Sequence, residues 1–460
     1  MRALPAPWIL LLIASCTGTE RTRDAKADPS RESERGLAAH IVDLSLSEGR
    51  AYELLRELVT QAPHRLSGSD GAARAVTWAQ ATMQRLGLAN VRLHRCMVPR
   101  WERGAPEQVR VLKPAPAHAL ACLALGGSVG TPAAGVEGEI VVVRTSSQLE
   151  ALGTAVRGKI VLFNRPMPRA LRNTFAAYGA SVPQRVSGAS RAAKHGAIAA
   201  LVRSMTTRID DVPHTGGMRY APDVPKIPAL AVSTMAAEEL AKMAKAGPTW
   251  VRVRASCRML ADVESSNVIG EIVGSEKPDE VVVIGGHLDC WDVGQGAHDD
   301  GSGSIECLEA ARLLIAAGLR PKRTIRVVFF MNEENGLRGA LAYAKDHANH
   351  KHVAAIESDR GGFEPKGFTS SARGDAFARY KAIVDDLRPF GMGVLIPGGG
   401  GADIGPLGLQ GVPLFGLLPA WNRYFDYHHS KRDTIDAVHP RELALGAAAI
   451  AYLALRLANE

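Results

Sequence analysis

Apolar runs that end in polar loops recur through the second half of the chain. The clearest run, residues 281–284, is apolar at every position and is followed by Gly285-Gly286, which is typical of a central strand covered on both faces. A polar loop then leads to a helical pattern with apolar residues at Ile305, Leu308 and Ala311. Strand, polar loop and helix form the unit of an open α/β sheet, which binds ligands at the carboxyl ends of its strands.

Acidic residues and histidines lie where the predicted strands end. Further strands are predicted at residues 324–331, 352–356 and 412–418. The polar residues that follow the four strands are His287, Asp289, Glu333, Glu334, Asp359 and, after a longer loop, His428 and His429. Asp299 begins the helix after the first strand. Any one of these residues alone would be an ordinary surface residue, but together they predict one site.

This set of side chains supplies nitrogen and oxygen ligands without sulfur, which suits zinc, cobalt or manganese. Carboxylates this dense would repel one another, and bound cations remove that cost. Two ions about 3.5–4 Å apart can share one carboxylate and make a bound water nucleophilic. Of the adjacent pair Glu333 and Glu334, one can then bind metal while the other acts as the base.

The length of the chain and a change in its pattern of predicted strands and helices indicate more than one domain. With 460 residues, 46% of them hydrophobic, the chain is long enough for two or three domains with substantial cores. Residues 117–256 alternate short strands and short helices and contain no cluster of His, Asp and Glu, so we interpret them as an inserted unit. The expected fold class is α/β, with a mixed, mostly parallel central sheet covered by helices and a smaller inserted α/β domain. Residues 37–116 and 257–460 would form the larger domain.

The first residues have the features of a secretory signal, with Arg2 before a short apolar core that is too short to remain as a spanning helix. Residues 13–16, IASC, resemble a bacterial lipobox, which would remove residues 1–15 and leave Cys16 as the lipidated N-terminus. Ordinary secretion is the alternative. Residues 16–36 would be a flexible tether. We expect an exported bacterial cell-envelope lipoprotein that meets the membrane only through its lipid anchor.

The charge and the cysteine content argue against two classes of site, one for nucleic acid and one for zinc held by thiolates. The net charge of +8 comes from dispersed basic residues, which predicts a solvated surface and argues against a nucleic-acid partner. The six cysteines show no Cys-x-x-Cys spacing, which argues against a thiolate zinc site. With Cys16 lipidated, at least one of the remaining five would be unpaired within the chain, and the sequence leaves any disulfide pairing open.

Four stretches carry a family resemblance: residues 285–303 (GGHLDCWDVGQGAHDDGSG), 332–340 (NEENGLRGA), 357–363 (ESDRGGF) and 428–434 (HHSKRDT). In combination they resemble the M28 family of co-catalytic zinc exopeptidases, and within it the carboxypeptidase Q branch. Residues 117–256 resemble the protease-associated domain that such enzymes carry as an insertion. Cys290 departs from the pattern, since these enzymes commonly have serine there, but no ligand is lost.

The resemblance implies roles for the residues at the strand ends. His287 and Asp359 would hold one zinc ion, Glu334 and His429 the other, and Asp299 would bridge the two. Glu333 would be the general base, and Asp289 would orient His287 through its other ring nitrogen. The family has a cis peptide at the position of Asp299-Asp300. Its motif selects His429 over His428 as the ligand, and the residues left for substrate, the oxyanion or packing are Tyr424, Tyr427 and His428.

The implied activity is hydrolysis of dipeptides or other short peptides by a water that bridges two Zn²⁺ ions, with Co²⁺ or Mn²⁺ as alternative metals. The carboxypeptidase Q resemblance favours dipeptides or C-terminal trimming, but aminopeptidase polarity stays open. Two rivals share the fold: a glutaminyl-cyclase-like acyl transferase with one zinc, and a receptor with a degenerate site. Whether the chain forms a homodimer is also open.

Overall fold

The computed structural model describes residues 29–460. The predicted signal and the lipidation residue Cys16 lie outside the described residues. A helix, Pro29–Glu48, already begins within the segment predicted to be a flexible tether. The tether expected over residues 16–36 is therefore too long at its carboxyl end.

The helices are α1 (Pro29–Glu48), α2 (Ala51–Gln61), α3 (Asp70–Arg85), α4 (Ser146–Leu152), α5 (Thr174–Ser181), α6 (Pro183–Lys194), α7 (Thr234–Ala246), α8 (Ser302–Ala316), α9 (Arg338–Asp346), α10 (Gly374–Asp385), α11 (Gly405–Gly408) and α12 (Pro440–Asn459). The strands are β1 (Ala89–Glu102), β2 (Gln108–Lys113), β3 (His118–Leu120), β4 (Cys122–Ala124), β5 (Val136–Val143), β6 (Ile160–Phe163), β7 (Ala199–Arg203), β8 (Ala229–Val232), β9 (Trp250–Arg254), β10 (Arg258–Ile272), β11 (Lys277–His287), β12 (Arg323–Phe330), β13 (Lys351–Glu357), β14 (Pro365–Ser370), β15 (Val394–Pro397) and β16 (Leu414–Pro419). They form two sheets of eight strands each.

The first sheet has the order β1-β10-β12-β11-β13-β16-β14-β15. Its centre, β12-β11-β13-β16, is parallel. The pairs β1-β10, β10-β12 and β16-β14 are antiparallel, and the edge pair β14-β15 is parallel. The predicted mixed α/β sheet is confirmed. Val282 and Ile284 of β11 are fully buried on one face and Val281 and Val283 on the other, as expected for a strand covered on both sides.

Helices α8 and α12 pack together against the first sheet. By length and composition α12 could cross a membrane, but 72% of its most apolar window is buried inside the fold, as in the core helix of a globular protein. The amino end of α8 lies against the end of β11, where a side-chain carbon added at Gly286 would come within 2.3 Å of the Asp300 carboxylate, and one at Gly303 within 1.8 Å of the Ser358 carbonyl oxygen. The glycines thus permit the close approach that brings Asp299 to the end of β11.

The second sheet, with the order β3-β2-β9-β5-β6-β7-β8-β4, belongs to the inserted unit. The chain leaves the first sheet at the end of β1 and returns at the start of β10, where Glu102 and Arg258 are paired in register. The predicted boundary at residue 117 is wrong, because β2 pairs with β9 in the second sheet. We define the insertion as residues 103–257.

The described cysteines, Cys96, Cys122, Cys257, Cys290 and Cys307, are all unpaired. Cys290 is fully buried, its thiol donates to the Trp291 carbonyl oxygen at 3.3 Å, and burial raises its pKa to about 12. A thiol this basic stays protonated at neutral pH, so it acts as a small packing residue.

Candidate active site

The carboxylate of Asp299 lies between two groups of potential metal ligands. Its Oδ1 atom is 3.3 Å from Nε2 of His287, and its Oδ2 atom is 3.2 Å from Nε2 of His429. His287 ends β11, and Asp299 lies in the turn Ala297–Gly301 that precedes α8. The two oxygens of one carboxylate therefore face two different histidines. One lies in the first of the four motif stretches and the other in the last.

Each histidine has a second acidic neighbour. Nε2 of His287 is 3.6 Å from Oδ1 of Asp359, which follows β13. Nε2 of His429 is 3.0 Å from Oε2 of Glu334, which follows β12. The structure thus brings together all five residues that the sequence predicted as metal ligands, because the carboxyl ends of the parallel strands meet at one edge of the sheet.

The donor atoms of this cluster suit a cation. Nε2 of His287, Oδ2 of Asp299 and Oε1 of Glu334 are buried without a hydrogen-bond partner among the described residues. Buried polar atoms left in this state are costly unless something binds them. The nitrogen and oxygen donor set fits zinc or a related divalent ion.

Burial and neighbouring carboxylates shift the pKa values of the residues in this cluster. Burial would lower the pKa of His287, but the carboxylates of Asp299 and Asp359 raise it well above the ordinary histidine value. Burial and Asp299 raise the pKa of Glu334 to about 7. Burial also raises the pKa of Glu333 well above its ordinary value, and nearby carboxylates add to the rise. A divalent cation would replace the protons that this arrangement otherwise retains.

Glu333 lies beside the cluster and is partly open to the cleft. Its Oε2 atom is 4.0 Å from Nε2 of His287, and 23% of its side chain is exposed, compared with 2% for Glu334. Both glutamates line a cavity of about 420 Å³ that also contacts the insertion. Of the adjacent pair, Glu333 is therefore the residue that a solvent molecule or a substrate can reach.

Asp289 contacts the other ring nitrogen of His287 through its backbone rather than through its carboxylate. The ring Nδ1–H of His287 donates to the backbone carbonyl oxygen of Asp289 at 2.9 Å, whereas the Asp289 carboxylate is 3.8 Å from that nitrogen. The carboxylate Oδ1 atom instead accepts from the backbone N–H groups of Asn332 (2.7 Å) and Glu333 (3.1 Å). Asp289 thus orients His287 through its main chain and fixes the backbone of Glu333 through its side chain.

Two further acids hold the Asp299 turn and were not among the predicted site residues. The Asp433 carboxylate accepts from the backbone N–H groups of His298 (2.6 Å) and Asp299 (3.1 Å). The Asp300 carboxylate accepts from the N–H groups of His287 (3.0 Å) and Gly303 (3.1 Å). Both residues lie within stretches that carry the family resemblance, and this position was the signal in the sequence that could have identified them as site residues. The peptide bond between Asp299 and Asp300 is cis, as the resemblance implied.

Tyr424, Tyr427 and His428, which the sequence left for substrate, oxyanion or packing roles, make different contacts. His428 stacks on His429 with ring centroids 3.4 Å apart, and its Nε2 atom is 3.9 Å from Asp299 Oδ2. Because His429 lies closer to Asp299 and also contacts Glu334, the geometry favours His429 as the ligand. Burial and the carboxylates of the cluster raise the pKa of Tyr424 well above its ordinary value, so its hydroxyl remains a donor. Tyr427 packs against His298.

The insertion forms the opposite side of the cleft, a role that the sequence left open. Nδ1–H of His214 donates to the backbone carbonyl oxygen of His428 at 2.7 Å, and the Thr215 N–H donates to that of His429 at 2.9 Å. From α5, the Tyr178 ring packs edge-on against His428 with centroids 5.2 Å apart. The loop that carries His428 and His429, which we call the histidine loop, is therefore held between the larger domain and the insertion.

Comparison with known proteins agrees with this geometry. The chain is 37% identical to carboxypeptidase Q of Bos taurus over 429 residues, which cover 92% of this chain and 89% of that protein. Human carboxypeptidase Q is 36% identical with the same coverage. The profile of Peptidase family M28 matches residues 267–454. The chain belongs to peptidase family M28.

Solved structures extend the agreement to the whole fold. The M28 peptidase precursor of Shewanella amazonensis SB2B is 34% identical, with a TM-score of 0.90 over 94% of this chain and 98% of that one. A zinc aminopeptidase of Bacillus subtilis, 18% identical, has a TM-score of 0.64 over 88% of this chain and 93% of that one, and shares the fold. The chain is thus a metallopeptidase, and its family and donor set imply zinc.

Proposed function

We propose that this M28 peptidase is a di-zinc exopeptidase that hydrolyses dipeptides and other short peptides. The observation that carries the proposal is the position of Asp299, whose two carboxylate oxygens face His287 and His429 separately at 3.3 and 3.2 Å. One ion would be held by His287, Asp299 and Asp359, and the other by Asp299, Glu334 and His429. The site of a single-zinc acyl transferase would not need both groups.

When bound, such an ion pair lowers the pKa of a water molecule and polarises the scissile carbonyl group. Glu333 would take the proton of the attacking water and pass it to the leaving amine, since it borders the cluster and remains accessible from the cavity. A raised carboxyl pKa suits a group that both accepts and donates a proton near neutral pH. Asp289 would keep Glu333 in place through its backbone N–H.

Tyr424 is the described side chain best suited to donate to the oxyanion of the tetrahedral intermediate. It is buried and stacks on Phe175 of the insertion with centroids 5.2 Å apart. It stays protonated because burial, and then the nearby carboxylates, raise its pKa. A fixed donor in a site with little water stabilises developing negative charge. Tyr427 packs against His298 and would have a structural role instead.

The experiment is the release of free amino acids from a panel of dipeptides and tripeptides with the zinc-loaded protein, beside Glu333→Gln. We expect the wild type to release amino acids and the variant to lose turnover while keeping its metal. The tripeptide products identify the terminus that is cleaved. Wild-type protein with two bound zinc ions and no turnover on any peptide would contradict the proposal and favour a receptor, and one bound zinc would favour an acyl transferase.

A further inference from the structure

One arginine of the insertion, Arg185, is buried in the cleft without a counter-ion among residues 29–460. Arg185 lies in the first turn of α6, and only 7% of it is exposed. Its Nε and Nη1 atoms are buried without a hydrogen-bond partner among the described residues. A buried charge left unpaired is costly, so the arrangement calls for an anionic partner.

Two other buried arginines, Arg65 and Arg326, donate to acceptors within the protein. Arg65 donates to three backbone carbonyl oxygens, those of residues 288, 295 and 296. Arg326 donates to the Glu271 carboxylate at 2.7 Å. These contacts hold the fold together, and Arg185 has no such set of partners among the described residues.

The guanidinium group of Arg185 lies next to the candidate metal centre. A side-chain carbon added at Gly216 would come within 2.4 Å of Arg185 Nη1 and within 2.7 Å of Nδ1 of His429, so the two groups flank the same backbone position. Arg185 lines the cavity of about 420 Å³ that also contains Glu333 and Glu334. The Tyr178 ring supports it from the other side, with the guanidinium carbon 5.4 Å from the ring centroid.

We propose that Arg185 binds the free α-carboxylate of the substrate, so that the enzyme selects peptides that end one residue beyond the scissile bond. The inference rests on the proposed peptidase function and deepens it. Glu333, which would pass its proton to the leaving amine, lies in the same cavity as Arg185. An amino acid extends the chain by only about 3.5 Å, so the carboxylate of a single leaving residue remains close to the metal centre.

The chemistry of the guanidinium group favours this ligand. Its parallel N–H groups match the two oxygens of a carboxylate, and such charge-assisted pairs are stronger than neutral hydrogen bonds. A peptide amide in the same place would accept fewer hydrogen bonds and leave the charge unpaired. The substrate class is therefore dipeptides and C-terminal residues with a free carboxyl group.

The test compares one dipeptide with its C-terminal amide, using wild-type enzyme, Arg185→Gln and Arg219→Gln. Arg219 lines the same cavity but is exposed, so it is a matched control for lost positive charge. We expect the wild type to favour the free acid by about 10- to 100-fold in kcat/KM, the range of a hydrogen bond to a charged group. Arg185→Gln should lose this preference, mainly through KM for the acid, whereas Arg219→Gln should keep it.

A binding measurement separates this inference from the peptidase proposal. Titration calorimetry of the dipeptide and its amide on the zinc-loaded Glu333→Gln protein, with and without Arg185→Gln, gives the same comparison without turnover. Arg185→Lys, which keeps the charge without the planar pair of donors, replaces the glutamine variant if that protein does not fold. Equal binding of acid and amide by protein that carries Arg185, or a preference that survives both substitutions, would overturn the assignment.

Discussion

The two sides of the cleft are built differently. The first sheet contributes acids and histidines at the ends of adjacent parallel strands, and their donor atoms converge around Asp299. The insertion contributes isolated residues: His214 contacts the backbone of the histidine loop, and Arg185 lines the cavity. One side is equipped to bind metal and carry out hydrolysis. We propose that the other holds a loop and recognises an anion.

This difference separates chemistry from recognition. Substitutions on the sheet side should abolish metal binding or turnover, whereas substitutions on the insertion side should change stability or the choice of substrate and leave the metal in place. The two sides meet at the histidine loop, where His429 faces Asp299 and the Thr215 N–H donates to the His429 carbonyl oxygen. Single substitutions on each side can therefore test the division.

The largest effect is expected from Asp299→Asn. An amide cannot bridge two cations as a carboxylate does, so the ion pair should not assemble and turnover should fall below detection. Metal content by mass spectrometry and peptide hydrolysis check both results. Asp292→Asn, in the loop outside the ligand set, should keep both zinc and activity. A fully loaded, active Asp299→Asn enzyme would remove the bridging role.

Glu333→Gln should lower kcat by about 10²- to 10⁴-fold, the range of general acid–base catalysis. Zinc content should stay at the wild-type value, since Glu333 is not assigned as a ligand. Steady-state kinetics and metal analysis of the same preparation provide the check. Loss of zinc in this variant would instead make Glu333 a ligand and reverse its division of roles with Glu334.

Asp289→Asn should have a smaller effect, about 10- to 100-fold on activity or metal affinity. The Asp289 carboxylate is fully buried and accepts from two backbone N–H groups, one of them that of Glu333. Both N–H groups donate to Oδ1, and Oδ2 has no hydrogen-bond partner among the described residues, so an amide can keep these two bonds and loses only the negative charge. An unchanged kcat would show that the site does not depend on this charge.

On the insertion side, His214→Ala should lower the free energy of unfolding by about 1–3 kcal/mol, because the buried His428 carbonyl loses its donor. His214 is itself buried, at 1% exposure. The more exposed His195, which pairs with Glu150 at the surface of the insertion, serves as the control, and His195→Ala should change stability far less. Denaturant unfolding of the zinc-loaded proteins measures both, and zinc loss from His214→Ala would break the division between the two sides.

An acid buried behind the site, Glu306, should make the stability of the protein depend on pH. Burial raises the pKa of Glu306 to about 8, despite the hydrogen bond that its carboxylate accepts from Ser358. The folded protein therefore holds a proton that the unfolded chain releases above its ordinary pKa of 4.5. Stability from this group is complete below pH 4.5 and is lost as the pH rises through 8.

Glu306→Gln should flatten that pH dependence. Its amide oxygen can still accept from Ser358, and no proton is exchanged on unfolding. Between pH 5 and pH 8 the wild type should lose on the order of 1–3 kcal/mol relative to the variant. Denaturant melts of both proteins across this range give the difference, and parallel curves would show that Glu306 does not titrate in the folded state.

The sheet side of the site was predictable from sequence because each acid or histidine follows an apolar run, so local pattern and chemistry coincide at residues such as His287 and Asp359. The insertion side was not. His214 contacts a residue 214 positions further along the chain, and no local pattern indicates that contact. Similarly, the six residues of β2 read as a strand but contain nothing that selects the second sheet over the first.

The contacts of Asp289 show a further limit. The sequence predicted a partner for His287, and the structure provides it through the backbone carbonyl rather than the carboxylate. Any residue at this position would offer that carbonyl. What the side chain adds is one oxygen that accepts from the N–H groups of Asn332 and Glu333, which lie on another strand's loop and become neighbours only in the folded sheet.

The most direct test of the central claim is anomalous X-ray diffraction from crystals of the zinc-loaded protein, recorded at the zinc edge. We expect two peaks about 3.5–4 Å apart, one beside each oxygen of Asp299, with His287 and Asp359 at the first and Glu334 and His429 at the second. A single peak, or a second peak held by His428 in place of His429, would contradict it.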